Sequence, residues 1–230
     1  MNDWSTGVIQ ALHLLFSGDP QLWTIVWTSL WISLCSTLLA SCAGVPAGVL
    51  LALRDFRGRE TLISVLHTML ALPTVVIGLF CYVFISRQGP LGEHNLLFSP
   101  AGIIIGQTLL IFPIVVTFSH SALAAVSRDV RATALTLGAG AARASLSVVN
   151  EARFGIMAAL TAAFGRAIGE VGISMMLGGN IKGFTRTITT AIALETSKGE
   201  FALGLGLGVV LIAFALTINL TTRRLGKQGS

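Results

Sequence analysis

Two ionisable side chains stand four residues apart inside a long apolar segment of this sequence. Arg166 and Glu170 belong to the run FGRAIGEVGISMMLGGN. Because four residues make about one helical turn, the two side chains share one helix face and can pair. An ionisable group at membrane depth costs about 2.5–3.5 kcal/mol, so it usually faces protein or water rather than lipid. The pair is predicted to fix helix packing, and the alternative is a role in gating or in the path of an ion.

A second group of polar side chains follows, between residues 180 and 198. This segment is rich in hydroxyl groups and cations. Converging hydroxyl, amide and guanidinium donors bind oxyanions well, so the segment predicts an outer pore mouth that accepts a tetrahedral oxyanion. The alternative is that these side chains solvate a loop or dock another protein. The predicted pore-mouth residues are Asn180, Lys182, Thr185, Arg186, Thr189 and Thr190.

Other chemistries find little support in the sequence. The three cysteines all fall in apolar runs, where a thiol behaves as a small hydrophobic group, and the four histidines are dispersed. No zinc-ligand spacing and no G-x-x-x-x-G-K-[ST] phosphate loop occurs, so we expect no metal site and no ATP hydrolysis on this chain. The residues concerned are Cys35, Cys42, Cys81, His13, His67, His94 and His120.

The composition is that of a membrane protein. Hydrophobic residues make up 53% of the chain and charged residues only 11%, against roughly a quarter charged in soluble domains. The 15 cations are scattered between apolar runs and form no basic stripe, which argues against nucleic-acid binding. We predict an interfacial helix within residues 1–20, a transmembrane domain over 21–222 and a cytoplasmic tail over 223–230.

Five segments are long and apolar enough to cross a bilayer, which takes about 20 helical residues. The fold class is therefore all-α, with five transmembrane helices, a short amino-terminal interfacial helix and a cytoplasmic helix. Three prolines, Pro46, Pro73 and Pro113, are predicted to kink or unwind the helices that hold them. The predicted spans are Gln21 to Leu53, Thr61 to Ser86, Ala101 to Ser127, Phe154 to Ile181 and Phe201 to Thr222.

The cations predict the orientation, because short loops rich in Lys and Arg stay in the cytoplasm. With the amino terminus outside, the larger set of cations is cytoplasmic, and the carboxyl terminus also lies inside. The cytoplasmic set is Arg54, Arg57, Arg59, Arg128, Arg131, Arg143, Arg153, Arg223, Arg224 and Lys227; the outer set is Arg87, Lys182, Arg186 and Lys198.

The loop between the third and fourth spans, residues 128–153, is long and rich in Ala and Leu. Its sequence RDVRATALTLGAGAARASLSVVNEAR predicts two short helices joined by a turn that Gly138 and Gly140 permit. Such a surface at the membrane face is suited to docking a cytosolic partner. The predicted coupling residues are Arg128, Asp129, Arg131, Ala132, Thr133, Ala134, Leu137, Gly138 and Ala139.

This loop resembles that of ABC-importer permeases, whose E-A-A, three residues, glycine pattern places a coupling helix in a groove on the ATPase. The matching run extends from Ala132 to Ala139, with Ala132 in place of the glutamate, and VVNE over residues 148–151 replaces I-x-L-P. The FGRAIGEVGISMMLGGN run and TTAIALETSKG resemble molybdate and tungstate permeases, and are most similar to the tungstate branch.

The resemblance implies a type I ABC-importer permease of a bacterial cytoplasmic (inner) membrane, moving an oxyanion, with tungstate expected. Implied partners are a second copy of the permease, a cytosolic ABC ATPase dimer, an extracytoplasmic tungstate-binding protein and membrane lipid. ATP and Mg would belong to the ATPase, so this chain is expected to bind no cofactor and to be no enzyme. The nearest alternative imports molybdate or sulfate through the same architecture. More distant alternatives are a passive channel and a membrane-embedded enzyme.

Overall fold

The computed structural model describes residues 17–126 and 128–227, and every regular element in these ranges is helical. The all-α prediction is confirmed for this part of the chain, whereas most of the predicted interfacial helix, residues 1–16, lies outside the described residues. The elements in chain order are α1 (Pro20–Leu53), α2 (Arg59–Leu70), α3 (Thr74–Ile85), a 3₁₀ turn (Gly92–His94), α4 (Pro100–Ala124), α5 (Arg128–Thr136), α6 (Ala141–Glu151), α7 (Arg153–Ile168), α8 (Gly172–Gly178), α9 (Ile188–Lys198) and α10 (Phe201–Lys227).

Three helices, α1, α4 and α10, are each long and apolar enough to cross a membrane unaided. The local sequence explains where two of these helices begin. Asp19 accepts a hydrogen bond from the Leu22 N–H at 2.9 Å, and Ser99 accepts one from the Gly102 N–H at 3.2 Å. In both helices a proline follows the cap, in the first turn where its missing N–H costs nothing. The predicted ends of these spans differ from the observed ones mainly at α10, which continues to Lys227.

The second and fourth predicted spans are each two helices. α2 and α3 meet at a bend of 100°, and α7 and α8 meet at a bend of 58°. Pro73 has an extended backbone and precedes α3, as expected of a residue that cannot continue a helix. Pro46 and Pro113, by contrast, lie within the continuous helices α1 and α4. A count of five crossings therefore depends on whether each bent pair counts as one.

The long helices α1 and α4 form the centre of the bundle, packed along much of their length. Small residues bring them close: a Cβ at Gly44 would lie 2.8 Å from the Val115 side chain, and one at Gly48 would lie 2.9 Å from Ser119. α3, α7 and α8 cover this pair through the main core cluster, which includes Ile111, Ala163 and Ile173. α9 and α10 close over the first turns of α1.

The bundle has two distinct ends. At one, which we name the hairpin end, α5 and α6 form a helical hairpin mounted on the last turns of α1 and α4 through Leu123, Val148 and Ala152. At the other, the opposite end, the loop before α4 meets the carboxyl end of α8. The Phe98 N–H there donates to the Leu177 carbonyl at 2.7 Å.

Candidate functional site: the hairpin, the broken fourth span and the outer turn

The hairpin turns at Gly138. This residue has φ +84°, a left-handed conformation that glycine adopts without the steric cost of a side chain. The Gly138 N–H donates to the Leu135 carbonyl at 3.0 Å, and the Ala139 N–H donates to the Ala134 carbonyl at 3.0 Å. These bonds cap the carboxyl end of α5, as a glycine in this conformation does in many helices. The predicted pair of helices with a glycine turn is thus confirmed.

The outer surface of the hairpin is unusually apolar for an exposed segment. Leu137 at the turn is 82% exposed, and Leu135 and Leu146 are also exposed. Exposed apolar patches on a folded surface commonly mark interaction sites. Among the other predicted coupling residues, Arg131, Ala132 and Thr133 are exposed, and Ala134 and Ala139 are half-buried; the side chains of Arg128 and Asp129 lie outside the described part.

The predicted pairing of Arg166 with Glu170 is confirmed. Arg166 Nη1 lies 2.7 Å from Glu170 Oε2, and the other carboxylate oxygen of Glu170 accepts the Ile173 N–H at 3.1 Å. The carboxylate therefore joins the last turn of α7 to the first turn of α8 across the break. Its position near the amino terminus of α8 is also favourable for a negative charge. The pair is unequal in burial, because the Glu170 side chain is 3% exposed and that of Arg166 is 38% exposed.

A buried amide that the sequence reasoning missed lies beside this break. Gln107 on α4 donates to the Ala167 carbonyl at 3.1 Å and accepts from the Ser36 hydroxyl at 3.1 Å. It also contacts the Ser174 hydroxyl at 3.4 Å. One side chain thus links α1, α4, α7 and α8. Its signal in the sequence is a glutamine in the middle of an otherwise apolar span.

The exposed side of α7 continues into a groove next to Arg166. The groove has a volume of about 490 Å³ and separates α7 from α10, with Ala162, Gly165 and Gly169 on one wall and Leu211 and Ala215 on the other. A Cβ added at Gly165 would meet no atom within 4 Å. Packing within the described chain therefore does not account for this glycine, although a helix-interior glycine costs about 1 kcal/mol relative to alanine.

The outer turn, residues 178–190, is bound together by its own hydroxyl groups. The Thr185 hydroxyl donates to the Gly178 carbonyl, and the Thr189 hydroxyl donates to the Glu170 carbonyl at 2.7 Å. Thr190 accepts the Thr187 N–H at 2.9 Å in a capping box that starts α9. All of these threonines are buried. Their hydroxyls are thus paired with other groups of the protein in this structure.

The cations of the outer turn divide into two kinds. Arg186 is 11% exposed, lies 3.7 Å from Glu195, and donates to the Asn180 carbonyl at 3.4 Å. Asn180 in turn donates to the Thr190 carbonyl at 3.3 Å. Lys182 is exposed instead. The structure thus brings five of the six predicted pore-mouth residues into one hydrogen-bonded unit, which reaches Glu170 through Thr189.

Two further residues of this unit were not predicted. Glu195 on α9 is buried and pairs with Lys198 at 3.2 Å as well as with Arg186. Ser29 on α1 accepts the Ile188 N–H at 2.6 Å, which ties the start of α9 to α1. A serine in an apolar span gives no recognisable signal, but a glutamate within TTAIALETSKG, between two cations of the same segment, could have been recognised as a buried ion-pair partner.

Comparison with known proteins places this architecture in a transporter family. The model of the binding-protein-dependent transport system inner membrane component matches residues 44–228. A probable anion ABC transporter permease of Haloferax volcanii is 42% identical over 79% of this chain and 80% of its own. The tungstate uptake system permease TupB of Campylobacter jejuni is 39% identical over 95% of this chain and 92% of its own.

A solved structure shares the fold at low sequence identity. A chain of the MetNI methionine ABC transporter, in inward-facing conformations, matches with a TM-score of 0.74 and 17% identity, over 92% of this chain and 99% of that one. The described helices therefore have the type I ABC-importer permease fold. By its sequence over residues 44–228, this chain belongs to the family of binding-protein-dependent transport system inner membrane components.

Proposed function

We propose that this chain is the pore-forming permease of an ATP-driven importer of a tetrahedral oxyanion, with tungstate as its substrate. The observation that carries the proposal is the partly exposed guanidinium of Arg166 in the middle of the bundle. An arginine at that depth is costly if it faces lipid, so its exposed side should meet water or protein. In a pore shared by two copies of the chain, it meets both.

The proposed assembly places an ATPase dimer on the hairpin end. In support, the hairpin presents exposed leucines and is fixed to α1 and α4 by apolar packing, so a displacement of the hairpin would be carried into the bundle. The same end holds Arg54, Arg57 and Arg59, next to the last turn of α1. In this orientation the amino terminus is outside, and each bent pair of helices counts as one of five crossings.

The proposed mechanism uses the break in the fourth span. α4 leads from the hairpin to Gln107, and Gln107 contacts the last turn of α7 and the start of α8. Closure of the ATPase pair would shift α4 and move the Arg166–Glu170 pair. The pore would then open to one side of the membrane and afterwards to the other, which is the alternating access used by transporters. The chain itself is not catalytic, because ATP and Mg are held by the partner.

Tungstate is favoured over other substrates by the relatives, of which one is named for tungstate uptake and another for anion transport. The nearest alternative is import of molybdate or sulfate, which are also tetrahedral dianions. An extracytoplasmic binding protein would perform most of the selection before the anion reaches the permease. The exposed Lys182 within the outer turn supplies a positive charge on the side of delivery.

Uptake into proteoliposomes tests the proposal. The complex of permease and ATPase is reconstituted with ATP at the ATPase face and the tungstate-loaded binding protein at the other, and internal tungsten is measured. We expect ATP-dependent accumulation of isotopically labelled tungstate against a gradient, inhibited more strongly by excess unlabelled tungstate than by equal molybdate or sulfate. Accumulation of molybdate or sulfate in preference to tungstate would refute the substrate, and no accumulation of any of the three would refute the importer.

A further inference from the structure

A cavity of about 590 Å³ lies at the opposite end of the bundle from the hairpin. The end of α3 and the loop that leads to α4 line it, including Tyr82, Arg87 and Asn95. Its place is fixed by Ile85, whose side chain would lie 3.3 Å from a Cβ at Gly102 in the first turn of α4. The hairpin follows the last turn of the same helix. The cavity would therefore face the extracytoplasmic side in the proposed orientation.

The chemistry of the cavity is that of a receptor for a carboxylate. Arg87 is the only charged side chain that lines it among the described residues, and it is exposed. No acidic side chain within the described ranges lies in salt-bridge distance of Arg87. Gln88 and Tyr82 add an amide and a phenol at the same wall. A guanidinium without an acid of its own is well suited to bidentate binding of a carboxylate.

The size of the cavity decides between a free anion and a protein partner. Cavities of roughly 300–1,000 Å³ enclose groups as large as a drug molecule, so this one is too large to hold a single tetrahedral oxyanion tightly. An acidic side chain at the tip of a protein loop, by contrast, would bring neighbouring atoms to fill the rest. Complementary charges of this kind also speed the encounter between two proteins.

One wall of the cavity is joined to the broken fourth span. Phe98 has φ +60°, which is unfavourable for a side chain of its size, and its N–H donates to the Leu177 carbonyl at 2.7 Å. Its ring would lie 2.8 Å from a Cβ at Gly179, which itself has φ +67°, so a side chain at this position would be strained and would displace the ring. Leu177 and Gly179 end α8, and α8 starts beside Glu170. A protein that occupies the cavity and moves this loop would therefore also move α8.

We infer that this cavity is the socket in which the extracytoplasmic solute-binding protein places an acidic side chain on Arg87. The inference rests on the proposed function, because the partner is the protein that delivers the oxyanion. It adds the site of docking and the cation that recognises the partner. It also adds a physical connection from the docked protein, through Phe98, to α8 and Glu170.

Binding measurements on the intact permease–ATPase complex in lipid nanodiscs test the socket. The probe is the solute-binding protein encoded with this permease, loaded with tungstate, and its affinity is measured by biolayer interferometry. We expect Arg87→Gln to weaken binding at least tenfold, Arg87→Glu to weaken it further, and Arg87→Lys to retain part of it. The wild-type affinity should fall more steeply with salt than that of Arg87→Gln. Unstimulated ATP hydrolysis, unchanged in each variant, shows that the complex is assembled.

The matched control is Glu93→Gln, which changes the charge of the same loop by one at a residue that does not line the cavity. Its affinity should stay within about twofold of wild type. Equal binding by wild type, Arg87→Gln and Arg87→Glu would overturn the socket while leaving the proposed function intact. Arg87-dependent binding of free tungstate to the complex, without the binding protein, would show an anion site instead. A wild-type complex that binds no loaded binding protein would refute both.

Discussion

The carboxylate of Glu170 satisfies two groups at once in the interior of the fourth span. It accepts from the Arg166 guanidinium and from the Ile173 N–H, while the Glu170 carbonyl accepts the Thr189 hydroxyl. At the scale of residues, this is where the charged pair, the helix break and the outer turn meet. A neutral side chain of the same shape could keep the contact with Ile173 but would leave the guanidinium without its counter-charge.

Variants at these two positions separate packing from transport. We expect Arg166→Gln to destabilise the complex by roughly 2–3 kcal/mol, because it leaves the buried Glu170 carboxylate without its hydrogen-bonded partner. Glu170→Gln should cost less, because the Arg166 guanidinium that it leaves is partly exposed. The double variant carries no unpaired charge and should recover much of the thermal stability, measured by fluorescence-detected gel filtration after heating. Its uptake should stay at least tenfold below wild type, because in the proposed function Arg166 faces the pore.

Two outcomes would contradict the prediction for the Arg166 and Glu170 variants. Single variants with wild-type stability and uptake would show that the pair has no important role. A double variant with wild-type uptake would show that the pair only fixes packing, which is the first of the two roles that the sequence predicts. In that case the exposed side of Arg166 would need another explanation.

At the scale of elements, the hairpin depends on a backbone conformation as much as on side chains. Gly138 has a positive φ, whereas Gly140, two residues later, has φ −65°. Neither would meet another atom within 4 Å if a Cβ were added. The two glycines thus differ in backbone strain but not in available space, which makes them a natural pair for substitution.

We expect Gly138→Val to cost about 1–2 kcal/mol locally, because a side chain in the left-handed region clashes with the backbone. The turn between α5 and α6 should loosen, and ATP hydrolysis should lose its stimulation by loaded binding protein while the complex still assembles. Gly140→Ala should keep the stimulation, and Gly138→Asn should keep more of it than Gly138→Val because asparagine tolerates this conformation. Full stimulation in Gly138→Val would contradict a coupling role for the turn.

Some of these elements could be predicted from the sequence and others could not, for physical reasons. The hairpin and the three long continuous helices follow from local composition and from caps such as Asp19 and Ser99. The break at Gly169–Val171 does not, because hydropathy is summed over a segment and is the same for one helix as for two. Pro73 begins a new helix whereas Pro113 lies within one, so the tertiary surroundings decide what a proline does.

The outer turn shows the same limit for a candidate site. Composition alone identified a segment of hydroxyl groups and cations between residues 180 and 198. It could not distinguish a hydroxyl that faces an anion from one that binds a carbonyl of the same chain, as Thr185 and Thr189 do. Gln107 was missed because its partners lie on other helices, at sequence distances that no local pattern reports. Glu195 differs, because its partners Arg186 and Lys198 lie in the same segment.

At the scale of the whole molecule, the two ends of the bundle have different surfaces. The hairpin end exposes leucines around Gly138, and the opposite end holds a cavity lined by Arg87. Between them, α4 and α8 connect both ends to the Arg166–Glu170 pair. Such an arrangement fits a permease that receives its substrate at one face and is driven by a separate ATPase at the other.

The most direct measurement of this central claim is ATP hydrolysis by the reconstituted permease–ATPase complex, recorded together with tungstate flux. We expect the tungstate-loaded binding protein to stimulate hydrolysis several-fold when it is added at the face opposite the ATPase, and flux to require ATP. Tungstate flux down its gradient through the permease alone, unaffected by ATP or by the binding protein, would contradict the account and indicate a passive channel.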